Sequence, residues 1–311
     1  MPWLAVLRLT GLLCAAGLAA SRLGLLLHEL LGHGGFAVAQ GGEITDLRLF
    51  WFAGGWISYS AIDDPSAAGA LATSMGGLIV EFVVGGALWL GLANKPETLG
   101  IRVVRGIGAA IVAHACWYFA TGTWHGYGDG LPAHRGLGDA RYPIAIVAGL
   151  VTCGVAYACA RLVLGVFTAV LPSRKVAGVA IAMTIAAVVL ALPAVIEMQL
   201  RSDHRYGAIM KREGDRLADR ELARWRRELA RTRTAIDPAL LEAETTRLRS
   251  QHREPPFMPV LGVLVLVSIA VGARRARDAT GVVLTRRHLV IAAIVAAGSL
   301  ISVIAIDAAF A

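Results

Sequence analysis

Two histidines and a glutamate, His28, Glu29 and His33, stand in the stretch Leu25 to Gly34, inside an apolar segment that runs from about Trp3 to Val38. Ionisable groups are costly in such a segment and mark function by default. Their types are those of a hydrolytic zinc site. Neutral imidazoles bind the ion, a third oxygen or nitrogen ligand joins them, and a nearby carboxylate takes the proton of a water in the open position. In the usual His-Glu-x-x-His helix the histidines are four residues apart and share a face. Here they are five apart. On a regular α-helix, five steps of about 100° leave the two side chains roughly 140° apart, too wide for one ion. A local π-type bulge would return them to one side. Gly32 is a place for the backbone to relax.

A third ligand has to come from elsewhere. The segment that begins at His114 ends in Thr123-Trp124-His125-Gly126-Tyr127-Gly128-Asp129-Gly130 and is dense with candidates. Asp129, His125 and His134 are the candidates for that ligand. His114 lies deeper in its helix and reads as a packed polar residue. Glu81, alone in the preceding apolar run, is either a structural hydrogen-bonding group or a wall of the same polar cavity. Cys14, Cys116, Cys153 and Cys159 sit in apolar runs without metal or redox spacing and read as small hydrophobes.

The elements that must position these residues are membrane helices. Of the 311 residues 56% are hydrophobic, and the mean hydropathy of +0.62 exceeds that of a soluble domain. Apolar runs of membrane length, about 17 to 25 residues each, lie near 4–26, 67–93, 103–123, 143–171 and 175–199, with two more at 257–273 and 288–310. The expected fold is an all-α polytopic membrane protein of six to seven transmembrane helices. The first run continues into the His-Glu stretch without a small-residue cleavage site and is expected to stay in the mature protein. A helix from Trp3 carries His28 about 37 Å along its axis, toward the far end of the span. The first and third spans run the same way, so Asp129 and His125 arrive at the depth of His28 and His33.

Between Glu43 and Ser60 the periodicity changes to that of a β-hairpin with a glycine turn at Gly54-Gly55. It reads either as an interfacial aromatic belt or as an edge able to hold an extended peptide beside the metal. Four regions result: a membrane core over 1–142, further spans over 143–200, a charged soluble insertion over 201–256 and C-terminal spans over 257–311. In the insertion, Ala218, Leu222, Trp225, Leu229, Thr232 and Ile236 recur at steps of four and three, a short coiled-coil seam. Asp237-Pro238 starts a second helix. The insertion reads as a helical hairpin packed on itself, with a protein-partner surface as its second reading. The net charge of +8 comes mostly from loop arginines, which points to membrane topology rather than to nucleic acid. The basic loops alternate in a way that places the N-terminus in the cytoplasm and the histidine-rich face outside it.

The string His-Glu-Leu-Leu-Gly-His resembles the zinc motif of dipeptidyl peptidase III, a soluble family in which the extra residue is tolerated; the likeness covers six residues. The wider arrangement, over about the first 140 residues, resembles the site-2 protease family of intramembrane zinc metalloproteases. That family presents His-Glu-x-x-His on a first core helix, then a β-hairpin, then a Gly-Pro-x-x-Asn-like motif, then an Asp-Gly. Here the order is His28-Glu29 and His33, the hairpin over 43–60, Gly76-Gly77-Leu78-Ile79-Val80-Glu81, and Gly128-Asp129-Gly130. The chain departs in the displaced histidine, in the missing proline and asparagine of the second motif, and in His125-Gly-Tyr-Gly before the aspartate. The resemblance implies Zn2+ on His28, His33 and Asp129, with Glu29 as general base. It also implies cleavage of a transmembrane or membrane-proximal protein substrate from a site nearer the cytosolic face, opposite to the loop-charge reading. A bacterial cytoplasmic membrane is the expected location. The rival class is a non-catalytic membrane scaffold whose cluster is inactive or holds a structural metal. A di-iron oxidase is disfavoured by the lack of paired His clusters among only eight histidines.

Overall fold

Lipid offers no partner to a backbone amide or carbonyl, so an apolar run that enters the bilayer closes its hydrogen bonds internally as a helix. The computed structural model of the chain describes residues 3–60, 66–96, 98–164, 175–201, 219, 222–231, 237–251, 257–275 and 284–310. Six helical segments there are long and apolar enough to cross a membrane: Trp3–Ala39, Leu99–His125, Gly138–Val163, Ala177–Arg201, Phe257–Arg274 and Arg286–Ala309. Two further helices, Ala68–Ser74 and Gly76–Leu90, are bent by 70° at Met75 and count as a seventh if the pair forms one span. The chain is an integral membrane protein, and its described residues are mostly helical with one two-stranded antiparallel sheet.

The first segment changes its winding midway. α1 (Trp3–Leu25) passes into a π-helix over Leu26–Gly34 and then into the short α2 (Gly35–Ala39). The hairpin follows. β1 (Ile44–Leu49) pairs with β2 (Gly55–Tyr59), Leu47 opposite Ile57 and Leu49 opposite Gly55. The turn is closed by the Phe50 amide on the Gly54 carbonyl, so the glycine pair ends the turn instead of forming it. The hairpin lies close on the π-helix at Gly34, where a Cβ would be 3.0 Å from Ile44 and Ile57.

The turn between the strands is partly buried, with Trp51 and Gly54 exposed, and its amides and carbonyls, which the two-stranded ladder leaves unpaired, take side-chain partners. Three distant charged residues supply them. Arg22 on α1 donates to the carbonyls of Phe50, Phe52 and Ala53 at 2.6, 3.2 and 2.7 Å. Glu197, on α8 (Lys175–Arg201), accepts from the amides of Trp51, Phe52 and Ala53 at 2.5, 2.6 and 3.3 Å. Asp307, on α12 (Arg286–Ala309), accepts from the Leu49 amide at 2.9 Å. Leu47 and Leu49 are buried beside Val303 of the same helix. Glu197 is thus one jaw of a clamp, and the Arg22 charge within the first span is the other.

α3 (Ala67–Ser74) and α4 (Gly76–Leu90) form the bent pair. α5 (Leu99–His125) packs on α4 through glycines: a Cβ on Gly85 would lie 3.0 Å from the Gly108 carbonyl, the close approach that small residues allow in lipid. The short α6 (Leu131–Gly136) leads to α7 (Arg141–Leu164).

Residues Leu200–Val260 form a separate unit. It contains a helix over residues 222–231 (α9) and α10 (Pro238–Gln251). Leu222 and Leu248 are buried together, with Trp225 and Leu241 packed against them. Asp237 accepts from the Ala239 amide at 2.9 Å, a capping contact ahead of a helix that opens on proline. Among the described residues of this unit the two helices therefore pack on each other; Ala218, Thr232 and Ile236 of the expected seam lie outside the described residues. α11 (Phe257–Arg274) precedes α12.

Candidate metal centre

In a π-helix each amide bonds the carbonyl five residues back, so positions five apart come round to the same side. His28 and His33 lie in such a segment, with ring centroids 5.1 Å apart and planes crossed at 76°. The extra residue in the motif is absorbed by the winding. Gly32 has a further task, because α4 crosses the π-helix there. A Cβ on Gly32 would lie 2.5 Å from the Gly77 backbone, and one on Gly77 would lie 2.5 Å from the His28 ring. The bare backbones of Gly32, Gly76 and Gly77 leave a slot that the His28 imidazole fills.

The bend at Met75 supplies the next partners. The last carbonyls and first amides of a helix have no intrahelical partner, and a break in the middle of a span presents both kinds at one place. The Thr73 carbonyl, in the last turn of α3, is 2.8 Å from His33 Nδ1. A carbonyl only accepts, so His33 carries its proton on Nδ1 and turns Nε2 to the site. The Leu78 amide, in the first turn of α4, donates to Asp129 Oδ2 at 3.4 Å. The positive end of the α4 dipole favours a carboxylate there.

Asp129 reaches this point by a sharp reversal. Gly126 and Gly128 have φ of +77° and +51°, the left-handed region that glycine adopts without a Cβ clash, and they fold the chain back against the end of α5. The Tyr127 hydroxyl donates to Thr121 Oγ1 at 2.5 Å and pins the loop. Asp129 is then 4% exposed, with Oδ1 3.0 Å from His33 Nε2 and Oδ2 3.4 Å from His28 Nε2. Burial alone would push its carboxyl up, but hydrogen bonds from His28 and His33, with their charge, outweigh it and hold the group well below the usual carboxylate range. Tyr59, at the end of β2, is pushed up by burial and then by the Asp129 charge.

The donor atoms of His28, His33 and Asp129 lie within 4.8 Å of one another. Ligands around a tetrahedral zinc with bonds of about 2.0–2.1 Å are about 3.3 Å apart; the 3.0 and 3.4 Å contacts here reach different oxygens of Asp129, so the three donors would have to draw together to hold one ion. Two imidazoles and one carboxylate suit zinc and leave a coordination position for water or substrate. Glu29, buried beside His28, is coupled electrostatically to His28, His33 and Asp129. A metal site of this composition and depth can polarise a water or a carbonyl away from bulk solvent.

The rival ligands lie elsewhere. His125 stacks on Tyr127 with ring centroids 6.4 Å apart. His134 Nδ1 is 3.0 Å from the Thr123 carbonyl, so it braces the end of α5. His114 is not packed inside: its side chain is 59% exposed, yet Nδ1 is 3.0 Å from Glu81 Oε1. Glu81, 1% exposed, faces His28 Nδ1 at 3.3 Å. The glycine slot and the two backbone partners carry no recognisable motif; the one sequence signal for them is the run of small residues around Gly76-Gly77. The four cysteines are free thiols. Comparison of the chain with protein-family models, curated proteins and solved structures finds no match.

Proposed function

We propose that this chain is an intramembrane zinc metalloprotease that hydrolyses a peptide bond in a membrane-embedded or membrane-proximal protein, in the bacterial cytoplasmic membrane. The observation that carries the reading is the convergence of His28, His33 and Asp129, from two distant parts of the chain, with Glu29 beside them. The ordered likeness to site-2 proteases supports it.

His28 and His33 would hold the ion through Nε2, and Asp129 through a carboxylate oxygen. A zinc ion, when bound, supplies a Lewis acid that makes water acidic near neutral pH and polarises a carbonyl. Glu29 accepts the proton of the attacking water and returns it to the departing amine. The Thr73 carbonyl keeps His33 in the required tautomer. The two-stranded hairpin has an unpaired edge on each strand, and it offers an extended substrate segment such a backbone to pair with.

The test uses the full-length chain. The wild type and Glu29→Gln, purified in micelles, should each hold about one zinc per chain, the open four-coordinate site of a catalytic centre. In cells, new protein termini within or beside transmembrane segments should appear with the wild type and be absent with Glu29→Gln. A wild type that binds no metal overturns the reading in favour of a scaffold; bound metal with identical termini in both strains leaves a structural metal and overturns the protease.

A further inference from the structure

A metal-bound imidazole usually donates its second ring N–H to a carboxylate, carbonyl or water that fixes its tautomer and orientation. His33 has such a partner in the Thr73 carbonyl. His28 would bind through Nε2, so its Nδ1 must carry the proton. Nδ1 is buried and makes no hydrogen bond of ordinary geometry. The group facing it at 3.3 Å is Glu81 Oε2, which a small rotation of the ring would bring into line.

Glu81 is placed for this from several sides. Gly24 on α1 leaves it room, since a Cβ there would lie 3.5 Å from Oε1. His114 on α5 holds the carboxylate through Nδ1, 3.0 Å from Oε1 and 3.2 Å from Oε2. Tyr118, one turn on, stacks on the His114 ring with centroids 6.0 Å apart and meets the His28 ring edge-on at 5.5 Å. A carboxylate buried in an apolar span without a task is costly. Here it links an exposed histidine on one helix to an imidazole of the metal site on another.

We infer that Glu81 is the positioning residue for His28, fixing its tautomer and ring angle for metal binding, and that His114 in turn anchors Glu81. The inference rests on the metal-centre reading above. It concerns a group that touches neither metal nor substrate, so activity alone cannot test it.

The experiment measures zinc affinity by competition with a chromophoric chelator, and the visible spectrum of the cobalt-substituted protein, for the full-length chain in micelles. The variants are Glu81→Leu, Glu81→Gln and His114→Phe, with His28→Ala as the site control. Loss of an outer partner of this kind weakens metal binding about 10–100-fold, and Glu81→Leu should show that loss with an altered cobalt band. Glu81→Gln, whose amide oxygen accepts the same proton without charge, should fall between Glu81→Leu and the wild type. His114→Phe keeps the stack on Tyr118 and should weaken binding less than Glu81→Leu. Zinc affinity and cobalt spectrum equal to wild type in a folded Glu81 variant overturn the inference and leave the metal centre standing. If neither Glu81 variant folds, unchanged affinity in His114→Phe overturns it. A wild type that binds no zinc removes the metal centre and this inference together.

Discussion

Gly77→Ala isolates the position of one imidazole. The added Cβ would lie 2.5 Å from Cε1 and Nε2 of His28 and 2.6 Å from Cδ2, whereas carbon atoms rest about 3.5–4.0 Å apart. The ring must therefore retreat by about 1 Å. The clashing group is a side chain that can swing, not a backbone that must shift, so the cost to the fold belongs at the low end of the overpacking range, about 1 kcal/mol. The cost to metal binding is larger. Ligand distances tolerate only about ±0.2 Å, so Nε2 leaves the coordination sphere and two protein ligands remain. We expect zinc affinity to fall by at least about 100-fold, or about 2.7 kcal/mol. Gly86→Ala on the same helix is the control, because a Cβ there meets nothing within 4 Å. Zinc competition and the thermal midpoint are measured on both variants in micelles. A folded Gly77→Ala protein that binds zinc as the wild type does would refute the placement of His28, and with it the metal centre described above.

Two further outcomes follow from the buried charges. Arg22→Met removes three hydrogen bonds to the hairpin turn, and a buried acceptor left without its donor costs about 1–3 kcal/mol; the thermal midpoint should drop, and an Arg22→Met, Glu197→Leu double variant that is no better than the sum of the singles would show that the two residues do not act together. The Asp129 carboxyl is held below its ordinary range, so its stabilising contribution is fully present above the unfolded value of about 3.9 and is lost as pH falls through the lower folded value. The stability gap between metal-free wild type and Asp129→Asn should be constant from pH 6 to about 4 and shrink below that; a gap that widens on acidification contradicts the assignment.

The residues that bring the site together were legible where the chain itself carries the constraint. A His-Glu pair in an apolar run, a second histidine at an awkward spacing and an Asp between glycines each violate what lipid favours, and the spacing of five can be reconciled with one ion only by a π-type winding, which the structure has over Leu26–Gly34. The direction of the spans placed Asp129 at the right depth. What escaped was pairing at long range. Arg22 and Glu197 meet the same turn from positions well over a hundred residues apart, and Asp307 reaches Leu49 from 258 residues away; no local pattern says which buried charge answers which buried amide. His114 illustrates the same limit: it reads as a packed polar residue, yet its side chain is 59% exposed and its partner is Glu81. The bend at Met75 was also hidden, because no proline marks it.

That bend bears on how the centre tolerates sequence change. Two of the groups that steady it, the Thr73 carbonyl and the Leu78 amide, belong to the main chain, so any residue that keeps the packing can stand at those positions without altering what His33 and Asp129 touch. Substitution scanning should therefore find that Thr73 and Leu78, both buried, accept residues of similar size and shape, whereas the neighbouring glycines, which carry no reactive group, accept none. Drift in side-chain identity across this stretch would leave the chemistry intact, and the second motif of a distant homologue could be unrecognisable while its geometry persists.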